Sequence, residues 1–277
     1  MKIDLFTPVL TYPDPTSPVF PGHAAAIARR LDATLSALVI DVDIRTPASA
    51  FGGLFLDVPR MVAEAEARSR ACGEDLEASV REAAASAGVD VTVEAGRFFP
   101  EAMCTEPAVR ARLHDISAIG WQARQDRIGE LAESLIFDSG RPVLLVPDAT
   151  VVERLGHVAI AWDGSRAAAR ALADAAPFLD RAERVTVLTA LGDKPLDASL
   201  AEALVARLEA KGIAAVADVA DATEEGIGIA LQRRALDLGA GLLVMGGYGH
   251  SRLREFALGG ATRDVLTDLR LPVLMSH

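Results

Sequence analysis

The chain has 277 residues, which is enough for two domains of about 140 residues that each bury a core. Hydrophobic residues make up 51% and aromatic residues 5%, a composition typical of parallel sheets covered by helices of small residues. The formal net charge of −11 argues against nonspecific binding to nucleic acid or to anionic membranes, because both require a basic face.

Cysteine usage and the N-terminus favour an intracellular protein. Cys72 and Cys104 form neither a disulfide framework nor a metal motif, so we expect thiols in a reducing compartment. Asp4 and Pro8 interrupt the N-terminus too early for a secretory signal, and no stretch reaches the roughly 18 apolar residues of a membrane span. We therefore predict a cytoplasmic protein without nucleic-acid or membrane partners.

Helical and strand patterns alternate along the first half of the chain. In chain order, the predicted elements are a helix at 24–31, a strand at 34–42, a long helix at about 60–87, a strand at 89–94, an apolar strand at 115–120, a helix at 131–136 and a proline-led strand at 142–146. The segment 147–156 is a plausible connector to the second half.

The second half shows the same alternation. Its predicted elements are a strand at 158–162, a helix at 165–179, a strand at 184–191, a helix at 199–211, a strand at 213–220, a helix at 224–238, a strand at 242–245, a helix at 261–266 and a proline-led strand at 272–275. Strands that alternate with helices predict parallel sheets with right-handed crossovers, in which ligands bind beyond the carboxyl ends of the strands.

The two halves end in a matched order of strand, glycine turn, helix and proline-led strand, although two unrelated α/β units could share that order. The strands at 142–146 and 272–275 are expected to pair across a pseudo-twofold axis, because edge strands seek partners. The tandem chain would then resemble a dimer, and further homodimerisation stays open.

A glycine-rich segment follows the buried strand at 242–245. Gly246 and Gly249 are separated by two residues, and nine more precede Gly259 and Gly260. Glycines let the backbone approach a ligand closely, and successive N–H groups at a helix start present positive charge to an anion. The segment therefore favours a phosphate site, with tight turns alone as the other interpretation.

The second half resembles the universal stress protein family, and the whole chain resembles its tandem two-domain form. The resemblance rests on the spacing of Gly246, Gly249 and Gly259 and on Asp163, Gly164 and Ser165 at the end of a strand. It implies two tandem Rossmann-like domains of the adenine nucleotide alpha hydrolase type, at 1–147 and 156–277, each with a parallel five-stranded sheet.

The same resemblance implies a nucleotide site in the second domain, with Asp163 contacting adenine or ribose. It places Ala161 at the first strand end, Ala190 at the base pocket and Met245 just before the glycine loop. Asp163 alternatively only forms a turn with Gly164, and the Ser165 hydroxyl favours a helix cap.

Gly260 departs from the family pattern, which has Ser or Thr at that position. The loss of one donor to a charged group is worth ~1.5–3 kcal/mol, or roughly ten- to a hundredfold in affinity. Thr262 either supplies a hydroxyl instead or packs against its helix. The expected ligand is ATP, with or without Mg²⁺, or AMP or ADP.

The first half departs further. Gly120 and Gly129 align with the first and third glycines, but Ala123 replaces the second and only five residues follow it before Gly129. We therefore predict one nucleotide site per chain, with a degenerate first domain.

No catalytic or metal-binding constellation is evident in the sequence. The leading hypothesis is a stress-response protein that switches with bound adenine nucleotide and hydrolyses ATP slowly at most, with protein partners that the sequence does not identify. The alternatives are an interaction module that no longer binds nucleotide and an ATP-using enzyme. Arg252, Arg254 and His250 in the glycine loop are weaker candidates for phosphate contact.

Overall fold

The computed structural model describes residues 2–45, 57–122, 125–191, 198–247 and 260–277. The chain divides into two compact units. The first holds the described residues of 2–120 and 125–139, and the second holds those of 121–122 and 140–277.

Within the described residues, the first unit contributes four parallel strands, in the order β3-β2-β1-β4. The elements are β1 (Ile3–Leu10), α1 (Phe20–Leu31), β2 (Ala33–Val42), α2 (Val58–Ala87), β3 (Val91–Phe98), α3 (Thr105–Ala111), β4 (Ile116–Trp121) and α4 (Asp126–Asp138). Hydrophobic residues of β1, β2 and α1 supply much of the core, with Leu5, Phe20 and Ile27 fully buried.

The described part of the second unit contributes six strands, in the order β5-β10-β9-β6-β7-β8. The elements are β5 (Val143–Pro147), a 3-10 turn (Val152–Gly156), β6 (His157–Ala161), α5 (Arg166–Asp174), α6 (Ala176–Leu179), β7 (Arg184–Leu191), α7 (Ala198–Glu209), β8 (Ala215–Asp221), α8 (Ile227–Asp237), β9 (Leu242–Gly246), α9 (Gly260–Thr267) and β10 (Val273–Ser276). Five of these strands are parallel to one another.

The remaining strand, β5, runs antiparallel to β10, with Leu144 opposite Leu274. The predicted pairing of the two proline-led strands is therefore confirmed. The expected α/β fold with largely parallel strands is confirmed, and β5, which follows the first repeat in sequence, belongs to the second unit. Leu144 and Leu274 are both fully buried, and this burial stabilises β5 beside β10.

Several helix boundaries differ from the sequence-based ones for local reasons. The helix predicted at 165–179 is divided at Ala175, because Pro177 lies in the first turn of a separate short helix that begins at Ala176. The helix predicted at 224–238 begins later, at Ile227, since Asp221 accepts hydrogen bonds from the backbone N–H and the hydroxyl of Thr223 and forms a turn. The strand predicted at 89–94 begins at Val91, after Gly88 ends α2 with a left-handed backbone.

Within the described ranges, no helix combines the length and the apolar character that a membrane crossing requires. The longest helix, α2, has 30 residues and carries charged side chains along its length, including the Glu77–Arg81 ion pair.

His157, at the start of β6, makes stability dependent on pH. Its Nε2 atom lies 2.9 Å from the Thr186 hydroxyl oxygen, and burial, followed by the nearby Arg184 charge, lowers the pKa of the imidazole. As the pH falls through about 6.5, the unfolded chain binds this proton before the folded chain does, so folding stability is lost. We expect His157→Gln to lose less free energy of unfolding than the wild type between pH 7.5 and pH 5.5, measured by urea denaturation. Identical pH profiles for the two proteins would contradict this prediction.

Candidate functional site

The strand order of the second unit reverses between β6 and β9. These two strands are parallel neighbours, with Val158 opposite Leu242 and Ile160 opposite Val244. The chain leaves β6 toward β7 and β8 on one side and returns to β9 on the other. In open parallel sheets, ligands bind outside the carboxyl ends of the strands at such a reversal.

A tight turn connects the carboxyl end of β6 to α5. Gly164 has a φ of +71°, and the exposed Asp163 accepts a hydrogen bond from the Ser165 N–H at 2.9 Å. The Ser165 hydroxyl accepts a bond from the Ala168 N–H at 3.1 Å, which confirms the predicted helix cap. Asp163 thus forms the turn, and its role toward a ligand stays a prediction.

Gly246, the last residue of β9, lies directly against the first turn of α5. A Cβ atom at this position would be 2.5 Å from the backbone carbon of Ala167 and 2.6 Å from the nitrogen of Ala168. The neighbouring Gly247 N–H donates to the Ser276 carbonyl at 2.8 Å, which extends the pairing of β9 and β10. The first glycine of the motif is therefore required by close backbone packing, and it brings the β9 end beside the turn after β6.

Three other predicted residues occupy the same edge of the sheet. Ala161, half-buried, ends β6 opposite Leu188, and Met245 is buried with only 3% of its surface exposed. Ala190 lies near the end of the adjacent strand β7, opposite Ala220. The strand ends of β6, β7 and β9 thus bring together Ala161, Asp163, Ala190, Met245 and Gly246.

The start of α9 holds the last part of the motif. Gly260 is its first residue and is exposed, and a Cβ there would meet no atom within 4 Å. Thr262 was predicted either to supply a hydroxyl to the ligand or to pack against its helix. It is 3% exposed, which agrees with packing. Gly249 and Gly259, with Arg252, Arg254 and His250, lie outside the described residues.

Sequence reasoning missed the contact between α8 and α9. Asp264 of α9 accepts a hydrogen bond from the Gly228 N–H of α8 at 3.1 Å. Gln232 of α8 is fully buried and bonds the backbone of both Asp268 and Arg270. The available signal was Gly226 and Gly228 at the start of a helix, where glycine is unfavourable unless another chain segment lies close.

The corresponding strand ends of the first unit are covered by α2. The Ser69 hydroxyl accepts a hydrogen bond from the Val42 N–H at 2.9 Å, and its oxygen lies 2.6 Å from that of Thr11. A Cβ at Gly73 would be 2.6 Å from a carboxylate oxygen of Asp41, and burial raises the pKa of that carboxyl. Helix packing therefore occupies the edge at which β1 and β2 end.

The glycine alignment of the first half is wrong at Gly129. This residue lies in the first turn of α4, not in a loop before it. Gly120 lies within β4, where a Cβ would be 2.8 Å from the ring of Phe20, so packing explains it. Ala123 lies outside the described residues.

Within the described ranges, no group of three or more His, Cys, Asp or Glu residues is placed to hold a metal ion. A bidentate ion pair joins α8 to β8. The Arg234 guanidinium of α8 donates two bonds to Asp218 of β8, at 3.0 and 2.8 Å, and lowers the pKa of that carboxyl.

Comparison with solved structures identifies the fold. A universal stress protein from Archaeoglobus fulgidus superposes with a TM-score of 0.70 at 18% identity, over 99% of this chain and 97% of that chain. The chain has the universal stress protein fold. A candidate universal stress protein from Pseudomonas aeruginosa matches it with a TM-score of 0.57 at 17% identity, over 99% of this chain and 92% of that one. No family model and no curated protein matches the sequence.

Gly246 and Gly260, at the two ends of the glycine-rich segment of this universal stress protein fold, should respond differently to a methyl group. Gly246→Ala places a Cβ against the α5 backbone and should lower the free energy of unfolding by about 1–3 kcal/mol. Gly260→Ala meets open space in a helix and should raise stability, by at most about 1 kcal/mol. Denaturant unfolding of both variants without nucleotide measures this, and equal effects would show that close packing does not explain Gly246.

Proposed function

We propose that the second unit binds an adenine nucleotide, namely ATP, ADP or AMP, and that the chain acts as a nucleotide-dependent switch in a cytoplasmic stress response. The observation that supports this most directly is the position of Gly246. It ends β9 at the reversal of strand order and packs against the helix that follows Asp163. Glycine motif and acidic turn therefore meet at the edge where parallel sheets bind ligands.

In this proposal, one part of the site contacts the adenosine end of the nucleotide and another part contacts its phosphates. Asp163 accepts a hydrogen bond from ribose or adenine, beside Ala161 and Ala190 at the ends of β6 and β7. The phosphates lie against Gly246 and the glycine loop. Their oxygens accept hydrogen bonds from the N–H groups of Gly260 and the first turn of α9. Mg²⁺ would enter with the triphosphate, held mainly by phosphate oxygens and water.

The switch would act through binding rather than turnover. Nucleotide bound at the ends of β6, β7 and β9 would change the surface that this edge of the sheet presents to protein partners. Hydrolysis would be slow at most, because this proposal assigns no general base and no arginine clamp. The antiparallel pair of β5 and β10 supports an intramolecular pseudo-dimer, and self-association of two chains is a further proposal.

A second candidate function is an interaction module that has lost nucleotide binding. Two observations favour it. Gly260 provides no hydroxyl at the start of α9, and the Thr262 side chain is buried rather than exposed at the helix start. Titration of nucleotide-stripped protein with Mg-ATP separates the two functions, since the module would give no binding heat at millimolar ATP while remaining folded.

Asp163→Ala tests the acidic turn against a matched control. Asp221, at the carboxyl end of the edge strand β8, forms a similar turn through a bond from the Thr223 N–H at 3.0 Å. We expect Asp163→Ala to weaken ATP binding by about tenfold, the value of one hydrogen bond to a charged group. Asp221→Ala should leave the calorimetric Kd unchanged. Equal losses in the two variants would contradict a ligand role for Asp163.

Gly260→Ser tests the phosphate end of the site. The position has room for a side chain, and a serine hydroxyl there should strengthen ATP binding by roughly ten- to a hundredfold. Gly260→Ala provides the control, because it adds the Cβ atom without a donor. AMP, which carries fewer phosphate oxygens, should gain less than ATP, and a serine effect no larger than the alanine effect would contradict the proposal. Gly249→Val, within the glycine loop, should abolish binding altogether.

A further inference from the structure

The helix that would present its N-terminus to the phosphates, α9, is fixed to α8 by an unusually close contact. Cβ atoms at Gly226 and Gly228 would overlap the Asp264 carboxylate and the Ala261 carbonyl oxygen, respectively. A Cβ at Gly228 would also lie 2.7 Å from the Cβ of Asp264. The absence of side chains at these two glycines is therefore what allows the backbones of the two helices to approach.

Asp264 also satisfies the start of α8. Gly226 occupies the N-cap position of α8 and has no side chain to accept a bond from the first-turn N–H groups. The Asp264 carboxylate takes that place, accepting from the Gly228 N–H at 3.1 Å. A residue of α9 thus serves as the cap of α8, and the position of each helix depends on the other.

Gln232 holds the backbone that directly follows α9. Its side chain is fully buried, its amide nitrogen donates to the Asp268 carbonyl at 2.9 Å, and its amide oxygen accepts from the Arg270 N–H at 2.8 Å. Asp268 follows the last turn of α9, where its own N–H donates to the Asp264 carbonyl at 3.1 Å. The middle of this eight-residue helix and the segment that follows it are therefore both bonded to α8.

We infer that Asp264 and Gln232 are positioning residues for phosphate recognition: they fix the N–H groups at the start of α9 where the nucleotide phosphates bind. This inference rests on the proposed nucleotide site and adds to it two residues outside the glycine motif. Because the adenosine part of the ligand would lie at the ends of β6 and β7, displacement of α9 should weaken binding of the phosphates selectively.

The test compares Asp264→Ala with Asp264→Asn in the full chain. Both substitutions remove the carboxylate charge near the phosphates, but only alanine removes the acceptor for the Gly228 N–H. We expect the calorimetric Kd for Mg-ATP to be about five- to tenfold higher in Asp264→Ala than in Asp264→Asn, as for a lost cap bond. The Kd for adenosine should agree within about twofold, because it has no phosphate to contact α9. Gln232→Met has a side chain of similar size that cannot make the two bonds. Relative to the wild type, it should bind Mg-ATP more weakly and adenosine equally well.

Amide hydrogen exchange of 261–265 in nucleotide-free protein gives a second readout. Exchange should be faster in Asp264→Ala than in Asp264→Asn, since the helix loses an attachment. Equal ATP affinities in the two variants, or equal losses for ATP and adenosine, would overturn the positioning role while leaving the nucleotide site in place. Absence of ATP binding by the wild-type protein would instead overturn the proposed function, and the inference with it.

Discussion

The approach of the Gly246 backbone to the first turn of α5 is the constraint on which the arrangement of the site edge depends. It holds the end of β9 beside the turn that follows β6, so residues more than 80 positions apart in sequence meet at one edge. The Ser165 cap fixes the same helix turn from the other side. A side chain at 246 would separate these elements, because neither backbone has room to move away without breaking the parallel pairing of β6 and β9.

Local sequence patterns predicted the elements well where hydrophobic spacing and turn residues agreed. The parallel sheet, the Ser165 cap and the pairing of the proline-led strands are confirmed. Helix boundaries were less accurate, because hydrophobic periodicity registers neither the missing backbone N–H of Pro177 nor the two hydrogen bonds from Thr223 to Asp221. The two glycines at the start of α8 indicate a close neighbour, but they do not identify Asp264 as that neighbour, since the contact joins two helices through tertiary packing.

The two units differ in what lies at the carboxyl ends of their strands. In the second unit, the end of β6 is followed by the short turn at Gly164. In the first unit, Ser69 of the long helix α2 bonds the backbone at the end of β2, and Gly73 admits the buried Asp41. The close approach of α2 at Gly73 buries the Asp41 carboxyl, so packing of α2 occupies this edge. The degeneration of the glycine motif in the first half is consistent with that structural use.

The antiparallel pair of β5 and β10 means that the repeats of the sequence and the units of the structure do not coincide. A gene fragment that encodes only the second repeat would end its sheet at β10, with the backbone groups opposite Leu144 and Leu145 unpaired and their apolar neighbours in water. Such a fragment would have to borrow a strand from another copy of itself. Covalent fusion of two repeats replaces that concentration-dependent association by an intramolecular one, which keeps the outer strand covered at any dilution.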